Sequence, residues 1–482
     1  MASMFDRREF LKLAALLPAA CVSLPKGDPA GGWVNDIHSQ LNRTWVSRIV
    51  KPGSVAELRR AMAGDGPVSV AAGRHAMGGQ QFASNATLID MSAMNRLLAI
   101  DEAAGIADVE AGIQWPELVA ALKNSRWGIR QKQTGADRLS IGGALAANAH
   151  GRGLTMAPIV GDVESFTLVD PRGEELECSR TQNGELFAHV IGGYGLFGIV
   201  TRLRLRLSPR RKVQRVVELQ DIDGIMRGFD DRIAKGFLYG DFQFSVDDRS
   251  PDFLRRGVFS SYRPVADETP MPAAQAELHP DDWLRLLYLA HADKGQAFER
   301  YSGYYLSTSG QVYWSDEHQL SYYPDDYHRQ LDPLLKTARG TEMITELYVP
   351  RPRLAEFMGA AAEELRRRGE NLVYGTVRLI ERDNETVLPW AKQAYACVIF
   401  NLHVEHGPAG EARAAEAFRA LIDLALARDG NYFLTYHRWA KREQVERGYP
   451  RFAEFLREKR RLDPRRRLTS DWYRHYEQMF AS

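Results

Sequence analysis

Apolar and polar positions in this chain switch between a spacing of three to four residues and strict alternation. That switching predicts a mixed helix and strand protein. Val55, Leu58 and Met62 fall at helical spacing behind Pro52-Gly53, and Ser54 is placed to cap the helix. Short apolar runs at 68–72, 87–91 and 106–110 read as strands. Residues 115–124 read as a helix with Pro116 in its first turn, where a missing N–H costs nothing. A strand at 166–170, the turn Pro171-Arg172-Gly173-Glu174 and a strand at 175–179 predict a hairpin, followed by a helix at 184–191. Leu203, Leu205 and Leu207 alternate with Arg204 and Arg206, so the strand 199–207 has one buried face and one wet face.

The composition shifts after Pro209. A strand at 213–219, a helix at 221–233 and a strand at 236–246 lead into a polar, aromatic-rich connector from about 248 to 335. Strands at 345–349, 373–380 and 395–403, with helices at 353–367 and 411–426, complete a second unit. The fold class expected is α+β.

Two stretches interrupt these patterns. Val70-Ala71-Ala72-Gly73-Arg74-His75-Ala76-Met77-Gly78-Gly79-Gln80, continued by Gln81, is a glycine-rich loop leaving a strand with a histidine at its centre. Glycine admits positive φ and close approach, so such a loop can wrap a phosphate chain with its own N–H groups. The plain alternative is a tight turn with a surface histidine. The second stretch, from Thr134 to Gly153, is built almost wholly of small residues. It is either a tightly packed helix or a seat for a flat ligand. Gly193-Tyr194-Gly195-Leu196-Phe197-Gly198 matches G-x-G-x-x-G, but it follows a helix and opens a strand. That order is the reverse of the dinucleotide-binding context.

In this order the three segments resemble the flavin-binding elements of the p-cresol methylhydroxylase/vanillyl-alcohol oxidase superfamily. The resemblance implies a two-subdomain FAD-binding domain over 40–212 and an α+β substrate domain over 213–430 whose antiparallel sheet lies over the flavin. A C-terminal segment, 431–482, would return to the first domain. It assigns FAD contacts to Ala71, Ala72, Gly73, Arg74, His75, Ala76, Met77, Gly78, Gly79, Gln80 and Gln81. The small-residue stretch would supply Gly135, Ser140, Ile141, Gly142, Gly143, Ala146, Ala147, Asn148, His150 and Gly151. Ile199 and Val200 of the third element would lie against the adenine. In many members a histidine placed like His75 bonds covalently to the flavin, while some relatives carry serine there and bind FAD without a bond.

A flavin enzyme acting on a CH–OH or CH–NH group needs a base for the departing proton and fixed positive charge beside the cofactor, which supplies the hydride acceptor itself. Tyr436-His437-Arg438-Trp439-Ala440-Lys441 resembles the Pro-His-Trp-Gly/Ala-Lys segment of aldonolactone and alditol oxidases, with Arg438 inserted and the proline lost. Against decaprenylphosphoryl-ribose oxidase, Tyr436 stands where that branch has a catalytic lysine. Arg378 matches the Glu-x-Arg of alditol oxidases, with Thr376 in the acidic place. His403 lies on the neighbouring strand as either a site residue or a packed sheet histidine. Cytokinin dehydrogenase is the third near branch, and its aspartate base falls at Gly135, with Asp137 close by. The expected function is FAD-dependent oxidation of a CH–OH group on a sugar, polyol or related small molecule, with oxygen or another electron acceptor. CH–NH oxidation and a non-catalytic flavin-binding role are the alternatives.

At 482 residues and net charge +1 the chain has room for several cores and no electrostatic bias toward nucleic acid. The basic runs Lys459-Arg460-Arg461 and Arg465-Arg466-Arg467 alternate with acids and read as a solvated helix face. Three cysteines without paired spacing argue against a disulfide framework or structural zinc, and no metal site is expected. Arg7-Arg8 with Phe10-Leu11-Lys12 and the apolar run 13–20 resemble a twin-arginine signal over 1–26, or else form an amphipathic helix. Cys21 leaves a lipoprotein open. The apolar run is too short for a stable membrane span, and the resemblance to a twin-arginine signal implies a periplasmic or secreted location. Nothing in the sequence speaks to the oligomeric state.

Overall fold

The computed structural model describes residues 31–133, 135–273, 275–321 and 326–481; the signal-like segment 1–26, with Cys21, lies outside them. The chain opens with a small hairpin, β1 (Gly32–Val34) and β2 (Thr44–Val46). β3 (Arg48–Val50), helix α1 (Val55–Ala61), β4 (Val68–Ala71) and β5 (Thr87–Asp90) then form a parallel sheet in the order β3-β5-β4. α1 starts where the cap predicts: the Glu57 N–H donates to Ser54 Oγ at 3.3 Å.

The second sheet contains β6 (Leu97–Asp101), β7 (Ile106–Glu110), β8 (Trp127–Ile129), β9 (Val163–Val169), β10 (Glu175–Ser179) and β11 (Ile199–Pro209). Its order is β10-β9-β11-β7-β6, with β8 on the far end of β11. Helices α2 (Trp115–Leu122), α3 (Ile141–Ala147) and α4 (Gly184–Val190) connect these strands. Leu203 and Leu205 are buried, while Arg206 reaches Glu164 at 2.6 Å on the wet face. α4 ends before the 193–198 run and β11 begins after it, which is the reversed context read from the sequence.

The third sheet is antiparallel and has eight strands in the order β15-β12-β14-β13-β17-β18-β16-β19. In chain order these are β12 (Lys212–Asp221), β13 (Tyr239–Phe244), β14 (Arg256–Pro264), β15 (Val312–Trp314), β16 (Gly340–Pro350), β17 (Leu372–Ile380), β18 (Tyr395–Glu405) and β19 (Asn431–Tyr432). Helices α5 (Ile222–Ala234), α9 (Leu354–Arg368) and α10 (Pro408–Leu426) pack together with its strands.

The polar connector expected over 248–335 is instead built structure. It contains β14, β15 and three helices, α6 (Pro280–Ala292), α7 (Lys294–Ser307) and α8 (His328–Leu335). α6 does carry an apolar stripe at helical spacing, Trp283, Leu286, Leu287 and Ala290, which faces the cavity, whereas α7 buries only Ala297 and Ser302 and little apolar periodicity marks it in the sequence. Ser260 and Ser261 lie buried in mid-β14 and break its alternation.

α11 (Arg442–Gly448), α12 (Phe452–Leu462) and α13 (Asp471–Met479) close the chain. The C-terminal stretch lies on the cofactor-loop side: Val68 N–H donates to Arg467 O at 2.7 Å, and Thr469 N–H to Val68 O at 2.9 Å. The basic runs are only partly a wet face. Arg460, Arg461, Arg465 and Arg466 are exposed, but Lys459 is fully buried against Asp463 at 2.5 Å. Burial pulls the Lys459 ammonium down to about 8 although Asp463 opposes the shift. Arg467 turns inward to donate to Met62 O at 2.5 Å. The end of α1, whose last carbonyls have no partner within the helix, needs such an internal donor, which a count of charges does not show.

Two buried imidazoles make the fold acid-sensitive. Burial, with Arg419 adding to it, holds His437 down to about 3. Burial holds His318, stacked on Tyr262 at 4.1 Å, well below its usual range. The unfolded chain protonates both near pH 6.5, whereas the folded chain refuses those protons until far lower. Stability is therefore lost as pH falls below about 6.5, at up to about 1.4 kcal/mol per pH unit for each group. Thermal melts should show a falling midpoint from pH 7 to pH 5, and a flat profile would contradict the neutral buried pair.

Candidate active site

Between the second sheet, the third sheet and the cap helices α6 and α7 lies a cavity of about 470 Å³, within the range of small-molecule and cofactor sites. Its walls come from segments far apart in sequence. From the first loop, Ala71, Ala72, Gly73, Arg74, His75, Ala76, Gln80 and Gln81 line it. From the small-residue stretch come Gly135, Ser140, Gly142, Gly143, Ala146, Ala147 and His150, and from the third element Ile199 and Val200.

The small residues are required by close contacts. A Cβ on Gly73 would sit 2.3 Å from Arg138 O, and one on Gly142 would sit 2.8 Å from Ala111 O. The stretch does form a helix, α3, capped by Ser140 Oγ, which accepts from Gly143 N–H at 3.1 Å. Its small residues on one side leave room that a larger side chain would fill.

Other predicted residues support the loop without facing the cavity. Met77 is buried, with its carbonyl accepting from Asn42 at 2.6 Å. Gly78 N–H donates to Thr435 O at 3.1 Å, and Gly79 has φ of +79°, a conformation that glycine adopts without strain. Ile141 packs in the core. Asn148 ends α3 at φ +48° and donates to Asp383 at 2.8 Å. Gly151 allows the backbone to pass Lys132 O, where a Cβ would lie 2.5 Å away.

Alternation on the third sheet brings one parity of residues to the cavity: Ile344 and Glu346 on β16, Tyr374, Thr376 and Arg378 on β17, and Ile399 and Asn401 on β18. Tyr436 joins them from the segment after β19. At the centre is Glu346, a residue the sequence reading did not single out. It accepts from Tyr436 Oη at 2.6 Å and Tyr348 Oη at 2.8 Å, and it faces His150 Nε2 at 3.0 Å. Burial pushes its carboxyl up, but His150, Tyr436 and Arg378 outweigh that and hold it below the usual range. Burial, and then Glu346, push the Tyr436 phenol well above its ordinary value, so it keeps its proton. The shared parity of Glu342, Ile344 and Glu346 was the signal that could have exposed this residue.

The remaining sequence candidates fall elsewhere. His437 is buried behind the sheet, between Thr345 Oγ1 at 3.5 Å and the Phe418 and Trp439 rings. Lys441 is exposed and starts α11, its N–H donating to Gln444. His403 faces Glu342, with Nδ1 at 3.2 Å from Oε1, in a separate cluster. Of the catalytic candidates, the fold brings only Arg378 and Tyr436 to the cavity. The six-residue resemblance at 436–441 spans a turn, so its members part company in space.

FAD fits what this cavity offers. Among the described residues, several polar atoms along its wall are buried without a hydrogen-bond partner: both ring nitrogens of His75, Gln80 Oε1, Thr376 Oγ1, Arg378 Nε and Asn401 Oδ1. Buried orphan polar atoms cost free energy unless a ligand satisfies them. Burial, with His38, Arg138 and Lys132 nearby, drives His75 down to about 3, so its imidazole is neutral at any ordinary pH.

Residues 46–179 match the model of the FAD binding domain family, and the chain thus carries a flavin-binding domain of the superfamily that its motifs predicted. Among known proteins, it is 30% identical over 186 residues to an uncharacterized oxidoreductase of the fasciation locus of Rhodococcoides fascians, covering 36% of this chain and 40% of that protein. It is 31% identical over 173 residues to cytokinin dehydrogenase 2 of Arabidopsis thaliana, 34% of each chain. It is 25% identical over 203 residues to the decaprenylphosphoryl-beta-D-ribose oxidase of Mycolicibacterium smegmatis, 40% of this chain and 44% of that one. The matches thus span well under half the length of these relatives.

Proposed function

We propose that this chain is an FAD-dependent oxidoreductase that oxidises a CH–OH group on a sugar, polyol or related hydroxylated compound. The observation that carries this reading is the Tyr436–Glu346 pair beside Arg378 in the cavity. When bound, FAD supplies the hydride acceptor. The residues of 71–76, with Ser140, Gly142, Gly143, Ala146, Ala147, Ile199 and Val200, would hold it, and His75 would be its covalent attachment point.

Tyr436 Oη accepts a hydrogen bond from the substrate hydroxyl and passes its own proton toward Glu346, which its donors keep ionised. Arg378 provides fixed positive charge where negative charge builds up. Tyr374, Asn401 and Thr376 orient the remaining hydroxyls through hydrogen bonds. The cap helices exclude water from above.

A CH–NH substrate is the second reading, and cytokinin dehydrogenases among the relatives favour it. Against it, the acid nearest the place of that branch's base, Asp137, is committed to Lys132 and accepts from Ser321 N–H at 3.0 Å. The oxidised cofactor makes the protein yellow, so a panel of sugars, polyols and amines tests both readings by bleaching under anaerobic conditions. Bleaching by hydroxylated compounds is the expected result, and bleaching by amines alone would transfer the assignment to CH–NH chemistry. No bleaching across the panel would leave a flavin-binding protein without this activity. The leader-like residues 1–26 suit export of a protein that has already folded around its cofactor, and we place the enzyme in the periplasm or outside the cell. Among the described residues, no helix is long and apolar enough to cross a membrane.

A further inference from the structure

His291, His328, Glu342 and His403 form a second cluster that the proposed chemistry does not use. His291 lies in the last turn of α6, His328 is the first residue of α8, and Glu342 and His403 are directly paired across β16 and β18. One potential ligand atom from each lies within 4.8 Å of all the others. All four side chains are nearly inaccessible to solvent.

The geometry around Glu342 Oε1 is unlike an ordinary hydrogen-bonded carboxylate. His328 Nε2 stands 2.8 Å from it and 2.7 Å from Oε2, and His291 Nε2 and His403 Nδ1 each stand 3.2 Å from Oε1. Three imidazole nitrogens thus converge on one oxygen, which has two lone pairs to offer. His291 Nε2 is also off the axis of a hydrogen bond, since it has no partner that meets hydrogen-bond geometry among the described residues. A tetrahedral ion with bonds of about 2.0–2.1 Å places neighbouring ligand atoms about 3.3 Å apart, close to these separations. The rings of His291 stand at 89° and 90° to those of His328 and His403, so the nitrogens approach the centre from different directions.

The atoms behind the cluster complete the pattern. His328 Nδ1 lies 2.5 Å from Asp332 Oδ1, the carboxylate–imidazole pairing that leaves Nε2 free to ligate. His291 Nδ1 lies 3.1 Å from the Asn371 amide, whose Oδ1 is buried and unpartnered. Rotating that amide lets Oδ1 accept from Nδ1–H and frees His291 Nε2 as a ligand. The second carboxylate oxygen of Glu342 accepts from Tyr327 Oη.

We propose that these four residues bind one divalent transition-metal ion, best matched by zinc, that fastens the helical cap to the third sheet. Three imidazoles and a carboxylate, with no thiolate, suit Zn²⁺, and four protein ligands make a closed site of the structural type. Glu342 and Tyr327 also line the cavity, and Glu342 lies four residues, about 13 Å, from Glu346 along β16. The ion thus pins α6 and α8 to the strand that carries the proposed chemistry. The site rests on its own residues and stands or falls apart from the flavin reading. The absence of paired cysteines, which argued against zinc, says nothing about histidines at 291, 328 and 403 with no short motif joining them.

The test uses the full-length protein, stripped with a chelator and then reloaded with zinc or cobalt(II). Elemental analysis should find one ion per chain, and cobalt should give the visible absorption of a four-coordinate site. His328→Ala and Glu342→Gln should abolish uptake, and the milder Asp332→Asn should weaken it by about 10- to 100-fold. Flavin content should be unchanged in His328→Ala and Asp332→Asn, since neither residue lines the cavity. Hydrogen exchange across 280–307 and 328–335 should quicken on stripping. Failure of the wild-type protein to take up either ion would mean that the cluster is a hydrogen-bonded network and would overturn the proposal. So would uptake that survives both substitutions, or stripping that leaves exchange in the cap unchanged.

Discussion

Glu346→Gln should lower kcat/KM by about a hundred- to ten-thousand-fold, the span that a positioned proton acceptor contributes. Flavin content and melting temperature should change little. The amide keeps the shape of the side chain and can still accept from Tyr436 Oη, which lies 2.6 Å away, but it cannot take a proton and hold it. Because the carboxylate answers three neighbours, Tyr436, Tyr348 and His150, its loss removes the charged acceptor that all three face. Steady-state rates over a pH series, together with flavin absorbance of the same samples, separate chemistry from folding. An unchanged rate with normal flavin loading would remove Glu346 from the mechanism.

His75→Ala should release the cofactor from its covalent bond. In wild type, flavin fluorescence should stay in the acid-precipitated pellet, and in the variant it should move wholly to the supernatant. The imidazole suits attachment because burial keeps it neutral and because neither nitrogen has another partner among the described residues. Gly73 on one side and Ala76 on the other keep the loop slim enough for the ring to be reached. Wild-type protein that gives up all its flavin to the supernatant would end the covalent assignment and leave the FAD-binding domain intact.

The cofactor side of this site was legible in sequence because its demands are local. Gly73, Gly142 and the alanines of α3 are small where backbone or ligand must pass closely, and that requirement is visible residue by residue. The catalytic side was not legible in the same way. Glu346 matters through His150, which is 196 positions distant, and through Tyr436, 90 positions away; the pairing of β16 with β19 brings the Tyr436 segment alongside, and His150 arrives from the loop after α3 in the other domain. His437 and Lys441 were drawn in by their nearness in sequence to Tyr436. The turn that follows β19 sends one behind the sheet and the other to solvent. α7 was missed because its apolar stripe is diluted, and β14 because buried serines interrupt it; α6 was legible in the run Trp283 to Ala290 but was absorbed into the connector around it.

The edge of β4 is completed by Arg467 and Thr469, and the glycine-rich loop that leaves it is tied to Thr435. A nascent polypeptide therefore reaches the ribosome exit with its cofactor loop still half built, since residues roughly four hundred positions downstream have yet to be translated. Loading of the prosthetic group must wait for the completed chain, and closing so long a loop makes this one of the slower steps in maturation.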